Sequence, residues 1–303
     1  MLMSTPIQRP DWKRLEIPGR VDFEDGNGEL PKLEVTTQSS EAELYLHGAH
    51  VTGFQRRQEP PILFTSQFSR FEKGQAIRGG VPIIFPWFGA REGEPSHGFA
   101  RTQEWILNEV TALPADGVTV RLALGETPPA ATWPPFTLNY VVTVTEVLRL
   151  ELIVTNTSAS QEFSFENCLH TYLHVGDVRQ IRVRGLKGTS YLDKVEQFAL
   201  KQETNEEISI TSETDRVYLD TESTVEVVDP SLGRRLLIEK SGSRSTVLWN
   251  PWIAKAQQMP DFGGEEYLQM VCVESGNVGR NRVVLPPGHS SVLGVTLRAE
   301  PLA

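Results

Sequence analysis

What most constrains this chain is a succession of short runs rich in β-branched and aromatic residues, each ended by Gly, Pro or Asn, with scarcely any helical periodicity between them. Residues 41–55 (EAELYLHGAHVTGFQ), 117–124 (GVTVRLAL), 138–155 (LNYVVTVTEVLRLELIVT), 162–175 (EFSFENCLHTYLHV), 224–238, 268–275 (LQMVCVES) and 290–298 (SSVLGVTLR) all read this way. Runs of this kind, punctuated by turn formers, build antiparallel sandwiches and barrels. Two stretches, 66–73 and 252–259, predict about two helical turns each, the second behind Asn250-Pro251 as cap and first-turn pair. Strands alternating with long helices are absent, which disfavours doubly wound and α/β-barrel architectures.

A length of 303 residues leaves room for two domains, but all-β sandwiches of this size often form one. No internal repeat, low-complexity segment or linker divides the chain. The expected fold is therefore all-β, one large antiparallel β-sandwich over residues 1–303. Residues 1–30, rich in charge, Pro and Gly, are expected to be an irregular lead-in, and the proline-rich 126–135 (ETPPAATWPP) a surface loop. Counting the 24 glycines, about 47% of the residues are apolar, enough for a sizeable core.

The formal net charge is −10, with the acidic residues scattered, so neither nucleic acid nor an anionic membrane is an expected partner. An anionic small molecule would have to be met by a local cluster of Arg or Lys. The first twenty residues place charges and prolines where a secretory signal would place its apolar stretch, and no later run approaches 18 apolar residues. A cytoplasmic protein is expected. Its two cysteines, Cys168 and Cys272, are too few for a disulfide framework and lack zinc-type spacing, so both read as free thiols.

Walker A, GxGxxG, HExxH and GxSxG signatures are all missing. Four segments carry polar chemistry instead: RGGVPIIFPWFG at 78–89, SHGFAR at 96–101, NCLHTYLH at 167–174 and VCVESGN at 271–277. If 162–174 is one strand, alternation puts Phe163, Phe165 and Leu169 on one face and Cys168, His170, Tyr172 and His174 on the other. The same rule groups Met270, Cys272 and Glu274. A carboxylate ending such an apolar run is either partnered or functional, because an unpaired buried charge is costly. A cysteine precedes both His170 and Glu274 by two residues.

Each of these residues also has an ordinary reading. A strand histidine is more often structural than catalytic, and Glu274 could serve an ion pair or a loop hydrogen bond. A metal site using His170, His174 and His97 is a further option, disfavoured because neither an HxH pair nor a CxxC partner is present. Arg78 and Arg101 would ordinarily lie at the surface, yet both sit in Gly-bearing segments where backbone can approach a ligand closely. Trp87, Trp249 and Trp252 read first as core or rim aromatics, with sugar stacking as the minority reading.

Taken together, these segments resemble the aldose 1-epimerase (galactose mutarotase-like) superfamily, in particular its hexose-6-phosphate branch. The likeness runs from about Leu44 to the C-terminal strand through LHGAHVTGF, RGG-P-FPWFG, HGFAR, LHTYLHVGD, LKGTSYLDK, ETDRVY, WNPW and VCVESGN. The resemblance implies a β-supersandwich with a concave sugar site, no metal and no organic cofactor. It implies interconversion of the α and β anomers of a hexose 6-phosphate, with His170 as general acid and Glu274 as general base. His97 would assist near the ring oxygen or hydroxyls, Arg78 and Arg101 would bind substrate and phosphate, and Asp215 would bind sugar hydroxyls. Ser96 stands where some relatives carry Gln, which leaves one hydroxyl contact open. A monomer acting on a phosphorylated hexose is expected. The alternatives are a mutarotase for unphosphorylated aldoses and a non-catalytic sugar-binding protein, which would be expected to lose the acid or the base.

Overall fold

In a computed structural model, the structure describes residues 9–128 and 130–302. Two eight-stranded antiparallel sheets dominate. One is ordered Arg182–Arg184, Val225–Asp229, Arg234–Ser241, Ser290–Pro301, Leu148–Asn156, Phe136–Val144, Val118–Leu124 and Trp105–Ala112. The other, which carries the site, runs Ala199–Gln202, Ser190–Asp193, Thr214–Leu219, Ser245–Asn250, Met270–Asn277, Asn167–Leu169 and Ile83–Ile84, with Tyr172–His174 also paired to Met270–Asn277. A four-stranded sheet (Val21–Asp25, Pro31–Thr36, Ser40–Tyr45, His50–Arg56) and a two-stranded one (Phe163–Phe165 with Val283–Leu285) complete the set.

Alternation explains the packing. In Leu148–Asn156 the residues Leu148, Leu150, Leu152 and Val154 are all fully buried while Arg149 is exposed. They join one apolar cluster with Val118, Val120 and Leu122 of a neighbouring strand and Val271 and Val273 of the site sheet. The apolar run 138–155 resolves into a hairpin, Phe136–Val144 against Leu148–Asn156, in unbroken register.

Three expectations change. Residues 1–30 are not irregular throughout: Val21–Asp25 pairs with Pro31–Thr36, burying Val21 between them and the core, while residues 1–8 lie outside the described part. No helix forms over 66–73, because side chains satisfy that backbone: Glu266 accepts from the Gln67 N–H and the Ser66 hydroxyl, and Ser69 Oγ accepts from the Arg78 N–H. The second helix is shorter than predicted, Trp252–Ala256. Its N-cap is Pro251 and not Asn250 as expected, although Asn250 Oδ1 accepts from the Trp252 N–H at 2.9 Å.

Candidate active site

Register alone assembles the floor of a cleft. Asp215 lies opposite Trp249, Trp249 opposite Cys272, and Cys272 opposite Tyr172. Directly paired residues project to the same face, so these four form one row across the site sheet. Two residues along, Val247 faces Glu274. Asp215, Trp249, Tyr172 and Glu274 line a cleft of about 270 Å³, together with Arg78, Phe88, His97, His170, Lys194, Lys255 and Met259.

His170 reaches this floor because its chain leaves the ladder. The segment 162–174 is three short strands, not the single one expected. Glu166 breaks it first, its carboxylate accepting from the Phe88 N–H at 2.9 Å and from the Gly279 N–H. A second break follows at His170, whose N–H donates to the Pro82 carbonyl. The ring then stacks on Tyr172 at 4.8 Å, and its Nε2 stands 3.2 Å from Glu274 Oε1. Cys168 Sγ contacts the other carboxylate oxygen at 3.7 Å. His174 is not brought to the cluster. It lines a separate depression with Phe64 and Glu266, which removes it from the metal option that paired it with His170.

Burial governs the charge of the pair. It pushes the Glu274 carboxyl well above its usual range, helped by Asp215. It holds His170 well below its own, helped by His97 and by the cations Arg101 and Arg78. Both directions favour the neutral forms, an uncharged imidazole beside a protonated carboxyl. A general acid at His170 and a general base at Glu274 call for the other distribution, an imidazolium facing a carboxylate. The proton count is the same in both, and the 3.2 Å contact is the path between them.

His97 is fixed by its backbone and by its tautomer. It adopts φ 66°, a left-handed conformation uncommon for a residue with a side chain. Its Nδ1 accepts from the Gly89 N–H at 3.3 Å, so the neutral ring carries its proton on Nε2. Burial, with Arg101, Lys194 and Arg78 nearby, pushes it down to about 3, so the ring is neutral and a donor near neutral pH.

The two arginines differ. Arg78 lines the cleft in an ion pair with Asp261 (3.0 Å) and donates to the Tyr172 hydroxyl (3.1 Å). Burial opposes its charge, but Tyr172 and Asp261 outweigh that and hold it charged. Arg101 is not among the lining residues and forms no ion pair among the described residues. It donates to the Ser96 carbonyl at 2.8 Å while its Nε is buried without a partner. Burial lowers it to about 10. Ser96 is exposed and enters this arrangement through its main chain.

The glycines beside these arginines serve packing, not ligand approach as expected. A Cβ on Gly80 would fall 2.2 Å from the Val51 carbonyl oxygen, and one on Gly98 would fall 2.0 Å from that of Phe85. Asp215 holds Lys194 at 2.9 Å through Oδ2 and leaves Oδ1 buried and unpartnered. Trp249 lines the cleft, whereas Trp87 packs in the core against Phe99 and Trp133. Sequence reasoning missed Lys194 and Asp261 as members of the site. Lys194 ends the LKGTSYLDK segment, and the signal was its place next to a strand whose neighbour carries Asp215. One metal-capable group occurs among the described residues: ligand atoms of His170, Cys272 and Glu274 lie within 4.8 Å of one another.

An all-β sandwich with an imidazole and a carboxyl in contact at the floor of a polar cleft presents groups suited to acid–base chemistry on a small polar ligand. The profile of the aldose 1-epimerase family matches residues 31–298, and the chain belongs to that family. A relative from Cenchrus ciliaris, named "Putative glucose-6-phosphate 1-epimerase", is 34% identical over 269 residues, covering 86% of this chain and 82% of its own. One of the same name from Escherichia coli K12 is 33% identical over 260 residues, covering 84% and 86%. The crystal structure of a "putative mutarotase" from Salmonella typhimurium superimposes with a TM-score of 0.87 at 30% identity, covering 94% of this chain and 95% of that one. No helix among the described residues is long and apolar enough to cross a membrane.

Proposed function

We propose that the protein interconverts the α and β anomers of hexose 6-phosphates, chiefly glucose 6-phosphate, by acid–base ring opening and reclosure. The observation that carries this reading is the 3.2 Å contact of His170 Nε2 with Glu274 Oε1 on the cleft floor. Ring opening needs one group to take the proton of the anomeric hydroxyl while another gives a proton to the ring oxygen. A pair sharing one labile proton does both at no net cost in protons. We assign the donor to His170 and the acceptor to Glu274, with His97 Nε2–H donating to the sugar and Asp215 Oδ1 accepting from a hydroxyl.

The phosphate completes the electrostatics. Arg78 and Arg101 are among the charges that depress His170. A bound phosphate would offset them and move the shared proton from Glu274 towards His170, the distribution the assignment requires. After transfer, the open-chain aldehyde lies beside a neutral imidazole and a protonated carboxyl, the state burial favours. Rotation about C1–C2 and the reverse transfers close the ring on its other face. Positioned acid–base groups contribute roughly 10²–10⁴-fold, with orientation adding more.

Arg101 supports the phosphate in particular, since an unpaired guanidinium with a buried free Nε lacks the anion that its fork suits. The test is polarimetry, or a coupled dehydrogenase assay, on freshly dissolved α-glucose and α-glucose 6-phosphate. Faster anomerisation of the phosphate ester is expected. A preference for free glucose would sink the phosphosugar reading in favour of an unphosphorylated aldose, and no acceleration of either would favour a non-catalytic sugar-binding protein.

A further inference from the structure

Acid–base chemistry leaves Cys272 without a part, yet the register puts this thiol on the cleft face, in the row between Trp249 and Tyr172 and on the same strand as Glu274. We propose that His170, Cys272 and Glu274 form an inhibitory site for a thiophilic divalent cation of the zinc class.

The donor set is one imidazole nitrogen, one sulfur and one carboxylate oxygen, a mixture that suits zinc. Bonds of about 2.0–2.3 Å in a tetrahedron put ligand atoms roughly 3.3–3.7 Å apart. A nitrogen of His170 and an oxygen of Glu274 already stand at 3.2 Å, and one ligand atom from each of the three residues lies within 4.8 Å of the others. The thiol therefore has to close by at most about 1.5 Å, within reach of a side-chain adjustment. Thiolate and carboxylate together cancel a dication, so the occupied site is neutral, which a buried setting favours. His170 and Glu274 line the cleft, so the fourth position faces it and is free for water.

Other charges set the character of the site. Arg78 and Lys194 line the same cleft, and repulsion from them opposes a resident cation. Occupancy would therefore be a response to free metal and not a requirement for turnover. Binding releases two protons to solvent, that of the Cys272 thiol and the one shared by His170 and Glu274, and with the latter gone the pair can no longer transfer a proton. That inhibitory half rests on the proposed anomerase reading, whereas the binding half does not.

The test separates the two. Metal-stripped protein is titrated with zinc chloride by calorimetry, and with cobalt(II) by absorbance, where a thiolate ligand adds a charge-transfer band in the near ultraviolet. One equivalent bound with that band is expected. Cys272→Ser should lose affinity by at least about tenfold, together with the band, because only two ligands remain. Cys168→Ser should keep both, since Cys168 is outside the group. Absence of binding, or equal binding by wild type and Cys272→Ser, overturns the site. If Cys272→Ser does not fold, Glu274→Gln supplies the second reading, and unchanged zinc affinity there overturns it too. In the anomerisation assay zinc should inhibit wild type, with EDTA reversing it, and Cys272→Ser should resist by the factor lost in affinity. Zinc bound without inhibition of an active enzyme overturns the inhibitory role. Zinc bound at the cluster of a protein that anomerises no sugar upholds the site and counts against the proposed function alone.

Discussion

Glu274 Oε1 stands 3.2 Å from His170 Nε2, although the two residues lie on chain segments that are not sequence neighbours and the histidine is outside the strand ladder. The carboxyl is the fixed member, held in an inner strand of the site sheet and buried there. The imidazole is set by two other constraints, the Pro82 carbonyl on its backbone and the Tyr172 ring against its face.

Removing either member should therefore cost rate and not fold. His170→Ala and Glu274→Gln are each expected to lower kcat by roughly 10²–10⁴-fold. The double variant should be little worse than the poorer single one, because groups that act as a unit are not additive. Steady-state kinetics on a hexose 6-phosphate, with thermal melts to confirm folding, provide the check. Near-wild-type turnover in either single variant removes the acid–base assignment.

The pH profile of kcat/KM follows from the shared proton. Activity should fall on the acid side when the pair gains a second proton and on the alkaline side when it loses the first, giving a bell. Because burial holds His170 well below its ordinary value, the acid limb should lie below pH 6.5. Asp215 helps to keep Glu274 protonated, so Asp215→Asn should move the alkaline limb to lower pH, besides raising KM. An alkaline limb that stays in place would mean that Asp215 does not act on the pair.

Stability should respond to pH through a different histidine. His50 is fully buried, donates from Nε2 to the Gly79 carbonyl at 2.7 Å, and is pushed down to about 3 by burial. Its folded value is depressed, so the unfolded chain binds the extra proton. The stability is present above about pH 6.5 and is lost as pH falls towards 3, by about 1.4 kcal/mol per pH unit. Because burial also depresses His97 and His170, urea unfolding from pH 7 to 5 should show a steeper total, from which His50→Phe removes about 1.4 kcal/mol per pH unit. A slope unchanged in that variant would assign the acid sensitivity elsewhere.

The sheet was legible in sequence because alternation is a local signal. Leu148–Asn156 declares itself by period two, whereas Met270–Asn277 is buried throughout and Val273 and Glu274 take opposite faces by strand geometry alone. What local pattern cannot carry is a break imposed from afar. The kink at Glu166 exists because Phe88 and Gly279 present backbone N–H groups to its carboxylate. Those partners are distant in the chain, and the kink splits a segment that reads as continuous. Lys194 was hidden for a similar reason, since its role depends on Asp215, which only strand pairing brings beside it. The glycines of RGG and HGF misled in the other direction: their freedom answers to Val51 and Phe85 in the core.

Chelation should leave turnover untouched. In the proposed reaction the proton transfers use only side chains, and the one metal-capable group among the described residues coincides with the proposed acid–base pair, where a cation would obstruct. Treatment with EDTA is therefore expected to preserve the rate, or to raise it where trace zinc was present. Activity lost to the chelator and restored by one particular divalent ion would overturn the reading. Cys168 and Cys272 are both free in the structure and should both titrate as thiols after denaturation.

Arg101 should carry the preference for a phosphorylated substrate. It does not line the cleft but acts electrostatically on His97 and His170 and has no ion pair among the described residues, whereas the lining cations Arg78, Lys194 and Lys255 already hold Asp261, Asp215 and Glu213. A charge-assisted hydrogen bond is worth about 1.5–3 kcal/mol, so losing one should cost about 10–10²-fold. The phosphate is remote from C1, so the loss belongs in KM, unless the phosphate also tunes His170, in which case kcat falls as well. Arg101→Ala is thus expected to weaken glucose 6-phosphate by that factor and glucose hardly at all. Arg78→Ala should harm both sugars, because it also removes the hydrogen bond to the Tyr172 hydroxyl and loosens the ring that supports His170. Comparing kcat/KM for the two sugars in wild type and both variants decides between these roles: equal losses on glucose and glucose 6-phosphate in Arg101→Ala would take Arg101 out of the phosphate site, and a loss confined to the phosphate ester in Arg78→Ala would make Arg78 a phosphate ligand alone.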